Sequence, residues 1–279
     1  MSIIKKINTF LSFKILGRNR TKNMIAGFTD SVSLHLLDIA HQQEGIFSYG
    51  EYSEQSEKYV AEQFLPRHLK ERQVVQPVFF DVGANVGNYS LMLQQYFPAA
   101  VIYSFEPNPS SFKRLQSRFA GNANIHLLQK GLGAEQADLT MYSYGLDDAS
   151  EHASMNKDVM KELHEAGEAV SFTVPVDTLD AYCRSNAVDT IDFLKIDVEG
   201  FELEVLKGAK EMISRKKIGL IQFEFNEMNV YTRVFLKDFY ELLPGYSFYR
   251  LLDKSLLPLG AYNPRNEIFR YQNIMAVLQ

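Results

Sequence analysis

The chain has 279 residues, 46% of them hydrophobic and 23% charged, which is enough for one large α/β domain with an extra segment and too apolar for a disordered chain. Its net charge of −5 argues against a nucleic-acid partner, whose affinity rests on Lys and Arg displacing counterions. The single cysteine, Cys183, excludes an internal disulfide and a Cys-based zinc site and fits a reducing cytoplasm, while no run approaches the roughly 18 apolar residues of a membrane span.

Residues 1–20 are basic and partly apolar, with Ile3, Ile7, Phe10, Leu11 and Lys5, Lys6, Lys14, Arg18 at helical spacing. Two readings stand: an interfacial helix on the anionic inner face of a membrane, or a helix packed on protein. The second is favoured, because one weakly amphipathic segment rarely anchors a protein. Lys14 breaks the apolar run, so a secretory signal is not expected. Helices are predicted over Asp30–Gln42 and Ser53–Leu65, the second stopped by Pro66. Residues 1–75 thus read as a helical cap on a domain spanning 76–279.

Pro77-Val78-Phe79-Phe80 is a short apolar run that reads as a buried strand. It enters Asp81-Val82-Gly83-Ala84-Asn85-Val86-Gly87-Asn88-Tyr89-Ser90, a Gly-rich turn, and the helix Asn88–Tyr96 follows. Such a turn leaves backbone N–H groups free at a helix N-terminus and lets a ligand approach the backbone. The strand Val101–Phe105 then ends in Glu106, about 20 residues on, where a nucleotide-type ligand presents its ribose hydroxyls. Two hydrogen bonds from that carboxylate to a diol contribute roughly 1.5–3 kcal/mol each. Dinucleotides and S-adenosylmethionine both use this arrangement. Asp81 at the start of the turn suits the ammonium and sulfonium of S-adenosylmethionine and opposes a pyrophosphate. Ser90 also stands where the dinucleotide fingerprint has its third glycine. The cofactor-binding candidates are Asp81, Gly83, Ala84, Asn85, Gly87, Tyr89, Ser90, Glu106, Pro107 and Asn108.

The helix Pro109–Ala120 and the strand Ile125–Gln129 continue a β-α rhythm. It calls for a Rossmann-like, doubly wound, mostly parallel sheet with its ligand at the carboxyl ends of the strands. Gly131 and Leu132 fall where an adenine ring lies flat. Residues 137–176 break the rhythm as an insertion: Leu139–Tyr144 and Val170–Pro175 alternate with period two and read as a hairpin pair around a short helix, Lys157–Glu165. His152 in that polar insertion is a general-base candidate, beside the ordinary reading of a solvated loop histidine.

Asp177–Ser185 reads as a helix capped by Asp177. Ile191–Ile196 is a strand that runs into Asp197-Val198-Glu199-Gly200, and the helical face of Phe201, Val205, Leu206, Ala209, Met212 and Ile213 follows. Strand Ile218–Phe225, helix Val234–Leu243 and a closing antiparallel pair, Tyr246–Leu252 with Tyr271–Leu278, complete the chain. Asp197 and Glu199 end a strand expected beside the Gly-turn strand. Three roles are open to them: binding the cofactor ammonium, taking a proton from an acceptor hydroxyl, or holding a divalent cation such as magnesium together with Glu224. Acids at a helix N-terminus are also favoured by the macrodipole, which accounts for Glu202 better than for Asp197. Lys195 sits inside the strand and, if buried, needs an acidic partner, which Asp177 or a neighbouring acid could supply.

Two rivals remain. An NAD-dependent reductase is disfavoured because no Tyr is followed four residues later by Lys. A catalytically inactive binding module is disfavoured because Asp81, Glu106 and Asp197 are all present.

Four stretches carry a resemblance: Phe80-Asp81-Val82-Gly83-Ala84-Asn85-Val86-Gly87; Phe105-Glu106-Pro107; Val176-Asp177-Thr178-Leu179-Asp180; and Phe193-Leu194-Lys195-Ile196-Asp197-Val198-Glu199-Gly200-Phe201-Glu202 through Leu206-Lys207-Gly208-Ala209. Over residues 78–225 the chain resembles the FkbM family of S-adenosylmethionine-dependent methyltransferases, the Lys-Ile-Asp-Val-Glu-Gly stretch being the most specific part. The resemblance implies a class I methyltransferase sheet with an antiparallel C-terminal strand, and O-methylation of a hydroxyl on a sugar, a glycan or a similar metabolite. It implies that Asp81, Gly83, Asn85, Gly87 and Glu106 bind the cofactor and that Asp197 and Glu199 face the reaction centre. Acceptor choice then falls to the first 75 residues, the insertion and the C-terminus.

Overall fold

The computed structural model describes residues 33–47, 51–144, 153–154 and 169–279. The basic segment 1–20, His152 and the expected helix Lys157–Glu165 lie outside them. The chain divides into two compact units, Met1–Glu44 and Gly45–Gln279. In the first, helix α1 covers Ser33–Gln43.

The second unit opens with helix α2 (Glu51–Tyr59), which passes through a π-helical turn, Val60–Phe64, into α3 (Leu65–Glu71). Pro66 therefore does not stop this helix. The Leu65 N–H reaches back five residues to the Val60 carbonyl, and this wide turn absorbs the strain that the proline ring puts on a continuous α ladder. Val60, Leu65 and Leu69 are buried against the sheet.

The main sheet alternates strand and helix as the sequence pattern requires. Strands β1 (Val78–Val82), β2 (Val101–Phe105) and β3 (Ile125–Leu128) are linked by α4 (Asn88–Tyr96) and α5 (Pro109–Arg118). A second sheet follows, with β4 (Gly131–Leu132), β5 (Ala137–Tyr144), β6 (Ala153–Ser154) and β7 (Ala169–Asp177) in the order β4-β7-β5-β6. β5 and β7 pair antiparallel, as their alternation predicts. Helix α6 (Leu179–Ser185) leads to β8 (Ile191–Ile196), then α7 (Glu202–Lys207), α8 (Lys210–Ser214) and β9 (Ile218–Phe225). The N-cap of α6 is Thr178, whose Oγ1 accepts the Ala181 N–H, and not Asp177. Asp177 instead accepts from Lys130, Gln136 and the Thr178 N–H. The single helical face expected from Phe201 to Ile213 is broken at Gly208, where a Cβ would stand 2.0 Å from the Gly133 carbonyl oxygen. Helices α9 (Met228–Thr232) and α10 (Leu236–Leu242) and strands β10 (Tyr246–Leu251), β11 (Leu256–Pro258) and β12 (Gln272–Leu278) close the chain.

The eight strands run β11-β10-β12-β9-β8-β1-β2-β3. β3, β2, β1, β8 and β9 are parallel, and β12 is antiparallel to β9. The chain builds outward from β1 to β3, then restarts on the other side of β1 with β8. The carboxyl ends of β1 and β8 therefore flank a crevice, the place where doubly wound sheets bind ligands. Period-two alternation gives each strand two buried faces: Phe79 and Phe193 pack on one side, Phe80 and Leu194 on the other.

Candidate active site

A cavity of about 610 Å³ opens over the carboxyl ends of these strands, within the roughly 300–1,000 Å³ typical of small-ligand sites. Val82 to Val86, Glu106 to Asn108, Gly131 and Leu132, Asp197 to Glu199 and Glu224 line it, with Glu57 from α2 and Tyr271 before β12.

The Gly turn is shaped by contacts with protein. Gly83 has φ +84°, and a Cβ there would lie 1.7 Å from the Asp197 carbonyl oxygen. The turn can thus lie against the end of β8 only if residue 83 lacks a side chain. Gly87, the N-cap of α4 at φ +86°, would press a Cβ to 2.6 Å from Leu115 and Phe119. Glycine at 87 serves helix packing, and the residue does not line the cavity.

Glu106 ends β2 and is 6% exposed. Its Oε2 accepts the Asn85 N–H at 2.8 Å and its Oε1 accepts the Asn108 N–H at 2.7 Å. Burial pushes its carboxyl up to about 7, against the pull of those two amides. Each oxygen retains a lone pair for a ligand hydroxyl. Asn85 sits in left-handed backbone at φ 48°, and its buried Oδ1 has no hydrogen-bond partner. It is an acceptor aimed at a donor the protein does not supply.

Asp81 and Ser90 stand behind the cavity wall, not in it. Asp81 is fully buried, and its Oδ2 accepts the Ser90 hydroxyl at 2.6 Å; Ser90 Oγ lies 2.7 Å from Ser104 Oγ. The Asp81 Oδ1 lies 3.7 Å from Lys195 Nζ. Lys195, 5% exposed, donates to Asp197 Oδ2 at 3.0 Å and sits 5.1 Å from the Tyr89 ring centroid. Burial pulls the ammonium down, but Asp197, Asp81 and Glu57 together hold it well above the ordinary lysine range. Burial pushes Glu57 up to about 7, opposed by Lys195 and aided by Asp197, Asp81 and Glu54. The lysine is thus the hub that makes three carboxylates compatible in one place. The acids that meet it are its neighbours Asp81 and Asp197 and not Asp177, which pairs with Lys130; that they share the lysine depends on the β1–β8 register, Asp81 opposite Lys195.

The loop after β8 is braced by Glu202. Its buried Oε1 accepts the Val198 and Gly200 N–H groups at 3.0 and 3.1 Å, and Glu199 takes left-handed backbone at φ 55°. Glu202 is therefore a structural acid, as its helix-terminal position predicts. Glu224 is 7% exposed and accepts from Asn226 Nδ2 at 3.3 Å. Burial first, then Asp197 and Glu199, raise its carboxyl well above the ordinary range.

Asp197, Glu199 and Glu224 do not form the divalent-cation site the sequence offered. Among the described residues no group of three His, Cys, Asp or Glu is placed to hold a metal. The positive charge at this point is Lys195, which already occupies an Asp197 oxygen. Tyr271 and Phe201, which also line the cavity, were missed. Tyr271 enters only because β12 pairs antiparallel with β9, a long-range pairing with no local sequence signal.

The switch-point cavity, the Gly turn against β8 and the buried acid ending β2 together define an S-adenosylmethionine-dependent methyltransferase of class I. Residues 81–252 match the Methyltransferase FkbM domain, and the chain belongs to that family. The reductase reading is thereby replaced. A 2-O-methyltransferase, NoeI, from Sinorhizobium fredii is 23% identical over 177 residues, 61% of this chain and 72% of its own length. The hexuronic acid methyltransferase AglP of Haloferax volcanii is 30% identical over 162 residues, 58% of this chain and 62% of its own. The 31-O-demethyl-FK506 methyltransferase FkbM of Streptomyces tacrolimicus is 26% identical, covering 48% of this chain and 60% of its own length. The chain thus spans about 60% of the last two relatives. The plantazolicin methyltransferase BpumL, solved in complex with SAH, superposes along the full length of both chains with a TM-score of 0.44 and 9% identity. Among the described residues no helix is long and apolar enough to cross a membrane.

Proposed function

We propose that this chain transfers a methyl group from S-adenosylmethionine to a hydroxyl of a sugar, a glycan or a similar polyhydroxylated metabolite. The observation that carries the reading is Glu106: a buried carboxylate at the end of β2, fixed by two backbone amides, facing a cavity at the switch point. A pair of ribose hydroxyls is the ligand group such an acid suits. The orphaned Asn85 Oδ1 offers an acceptor to a cofactor N–H, and Gly131 and Leu132 line the side of the cavity assigned to the purine. Asp197, already oriented by Lys195, has its second oxygen for the cofactor ammonium. Asp81 supports this arrangement from behind through Lys195. The cofactor supplies an activated methyl group whose leaving group is a neutral thioether, so the protein need not protonate it. What the chain must provide is alignment, exclusion of water and a proton acceptor for the hydroxyl. Three relatives point to oxygen or sugar acceptors by name: a 2-O-methyltransferase, a 31-O-demethyl-FK506 methyltransferase and a hexuronic acid methyltransferase.

The test is transfer of radiolabelled methyl from the cofactor to neutral methyl glycosides, nucleotide sugars and lipid-linked glycans. Label that survives mild alkali marks a methyl ether and supports the reading. Label found only on amines, or released by alkali as from an ester, overturns it.

A further inference from the structure

We infer that Glu57 is a cofactor-binding residue: its carboxylate, carried to the cavity by α2, receives the α-ammonium at the amino-acid end of the cofactor. The inference rests on the methyltransferase reading above and reaches outside residues 81–252, the part of the chain that matches the family.

Strand order says where that end lies. The purine and the sulfur leave the ribose from opposite sides. With the purine along Gly131 and Leu132 and the ribose at Glu106, the tail beyond the sulfur runs away from β3 and β2, over the carboxyl ends of β1 and β8. Helix α2 meets the fold on this side. Val60, at its end, packs in one apolar cluster with Tyr89 and Leu93 of α4 and Phe193 of β8, and the Tyr96 hydroxyl of α4 donates to Glu62. Glu57 lines the cavity with Tyr89, Lys195 and Asp197. Its place is fixed by packing, because Ser56, Val60 and Ala61, beside it and one turn on, are fully buried.

The hydrogen bonds separate Glu57 from the other acids of the wall. Glu106 accepts two backbone amides, Asp197 accepts from Lys195, and Glu224 accepts from Asn226. Glu199 also has a partner within the protein. Glu54, one turn before Glu57, lines the cavity but stays exposed to solvent. Among the described residues Glu57 forms no hydrogen bond and no close ion pair, since Lys195 is already held by Asp197 and Asp81. Both its oxygens are therefore open to a donor from outside. An ammonium has three N–H groups, so Glu57 and the second oxygen of Asp197 can share it. Burial, aided by Asp197, Asp81 and Glu54, pushes the Glu57 carboxyl up to about 7 against the pull of Lys195. A group kept where the fold alone disfavours its charged form marks a site that its ligand completes.

The contact is measurable without knowing the acceptor. Calorimetric titration of the full chain compares S-adenosylhomocysteine, which carries the ammonium, with its desamino analogue, in which hydrogen replaces the α-amino group. At about pH 8, where Glu57 is ionised, the wild type should bind S-adenosylhomocysteine at least about tenfold more tightly than the analogue. Glu57→Gln should weaken S-adenosylhomocysteine at least about tenfold and the analogue less than about threefold. A purely structural role would move both ligands together. Glu54→Gln, which removes a charge from the same helix, should change either ligand less than about threefold. Should Glu57→Gln fail to fold, Glu57→Asp, whose carboxylate is drawn back by one carbon, should show the same selective loss at about threefold or more. Equal weakening of both ligands, S-adenosylhomocysteine affinity unchanged in the Glu57 variants, or an equal selective loss in Glu54→Gln, overturns the assignment to Glu57 and leaves methyl transfer standing. A wild-type chain that binds neither compound overturns the methyltransferase reading and this inference with it.

Discussion

Replacing Lys195 by Met tests the charge hub beneath the cavity. The side chain keeps its length and loses its ammonium. Asp81 is then a fully buried carboxylate whose nearest cation is gone, and Asp197 loses its donor at 3.0 Å. Coulomb attraction at 3.0 and 3.7 Å is gross, before desolvation, about 4–6 kcal/mol per pair at an effective dielectric near 20. Removing one member of a buried pair costs about 3–5 kcal/mol net. Lys195→Met is therefore expected to lose that much stability at neutral pH in urea denaturation followed by circular dichroism. The loss should shrink on acidification, because Asp81, already pushed up by burial, takes a proton and its charge disappears. The double variant Asp81→Asn/Lys195→Met should recover at least about 2 kcal/mol, since it buries no uncompensated charge. A loss below about 1 kcal/mol, or a double variant no more stable than Lys195→Met, would show that the three acids do not depend on this lysine.

Glu106→Ala removes the acid assigned to the ribose hydroxyls; losing two charged hydrogen bonds of about 1.5 kcal/mol or more each should weaken S-adenosylhomocysteine at least ~100-fold by calorimetry. Gly83→Ala should be worse for stability than Gly87→Ala. At 83 the new Cβ meets the backbone carbonyl of Asp197 at 1.7 Å, whereas at 87 it meets side chains that can shift; left-handed backbone alone costs about 1–2 kcal/mol at either site, and melting temperatures give the order. Glu57, raised to about 7 from 4.5, binds a proton more tightly folded than unfolded. Its contribution is therefore largest at low pH and falls as pH rises from about 4.5 to 7. Glu57→Gln, neutral throughout, should match the wild type near pH 4.5 and gain on it by at most about 3 kcal/mol near pH 7.5, read from paired urea titrations. A constant offset would mean that Glu57 is not held protonated by the fold.

The elements were legible where local pattern decides them. Phe79 and Phe80, or Phe193 and Leu194, alternate between two buried faces, and the strands fall where that alternation and the Gly turn put them. The same holds for β9, whose bounds Ile218–Phe225 follow a mainly apolar run interrupted by Gln222 and Glu224. Local signals failed where a neighbour far along the chain decides. Pro66 reads as a helix stop, yet the π-helical turn before it lets the helix continue on a face sealed by Val60, Leu65 and Leu69. Asp177 reads as a cap, yet Lys130 and Gln136 claim its carboxylate. The helix after β8 ends at Gly208, whose backbone packs against the Gly133 carbonyl with no room for a side chain. The site divides the same way. Glu106, Asn85 and Asp197 reach the cavity as motif spacing predicts, but Asp81 and Ser90 sit one layer behind it, joined to each other and to Ser104. A strand's period of two says which side a residue takes, not whether a ligand or a lysine meets it there.

The most direct check is a crystal structure of the chain with S-adenosylhomocysteine. The ribose hydroxyls should lie within hydrogen-bond distance of Glu106 Oε1 and Oε2, with the purine along Gly131 and Leu132 and the sulfur facing Asp197 and Glu224. A ligand bound elsewhere, or one whose ribose never meets Glu106, would contradict the account.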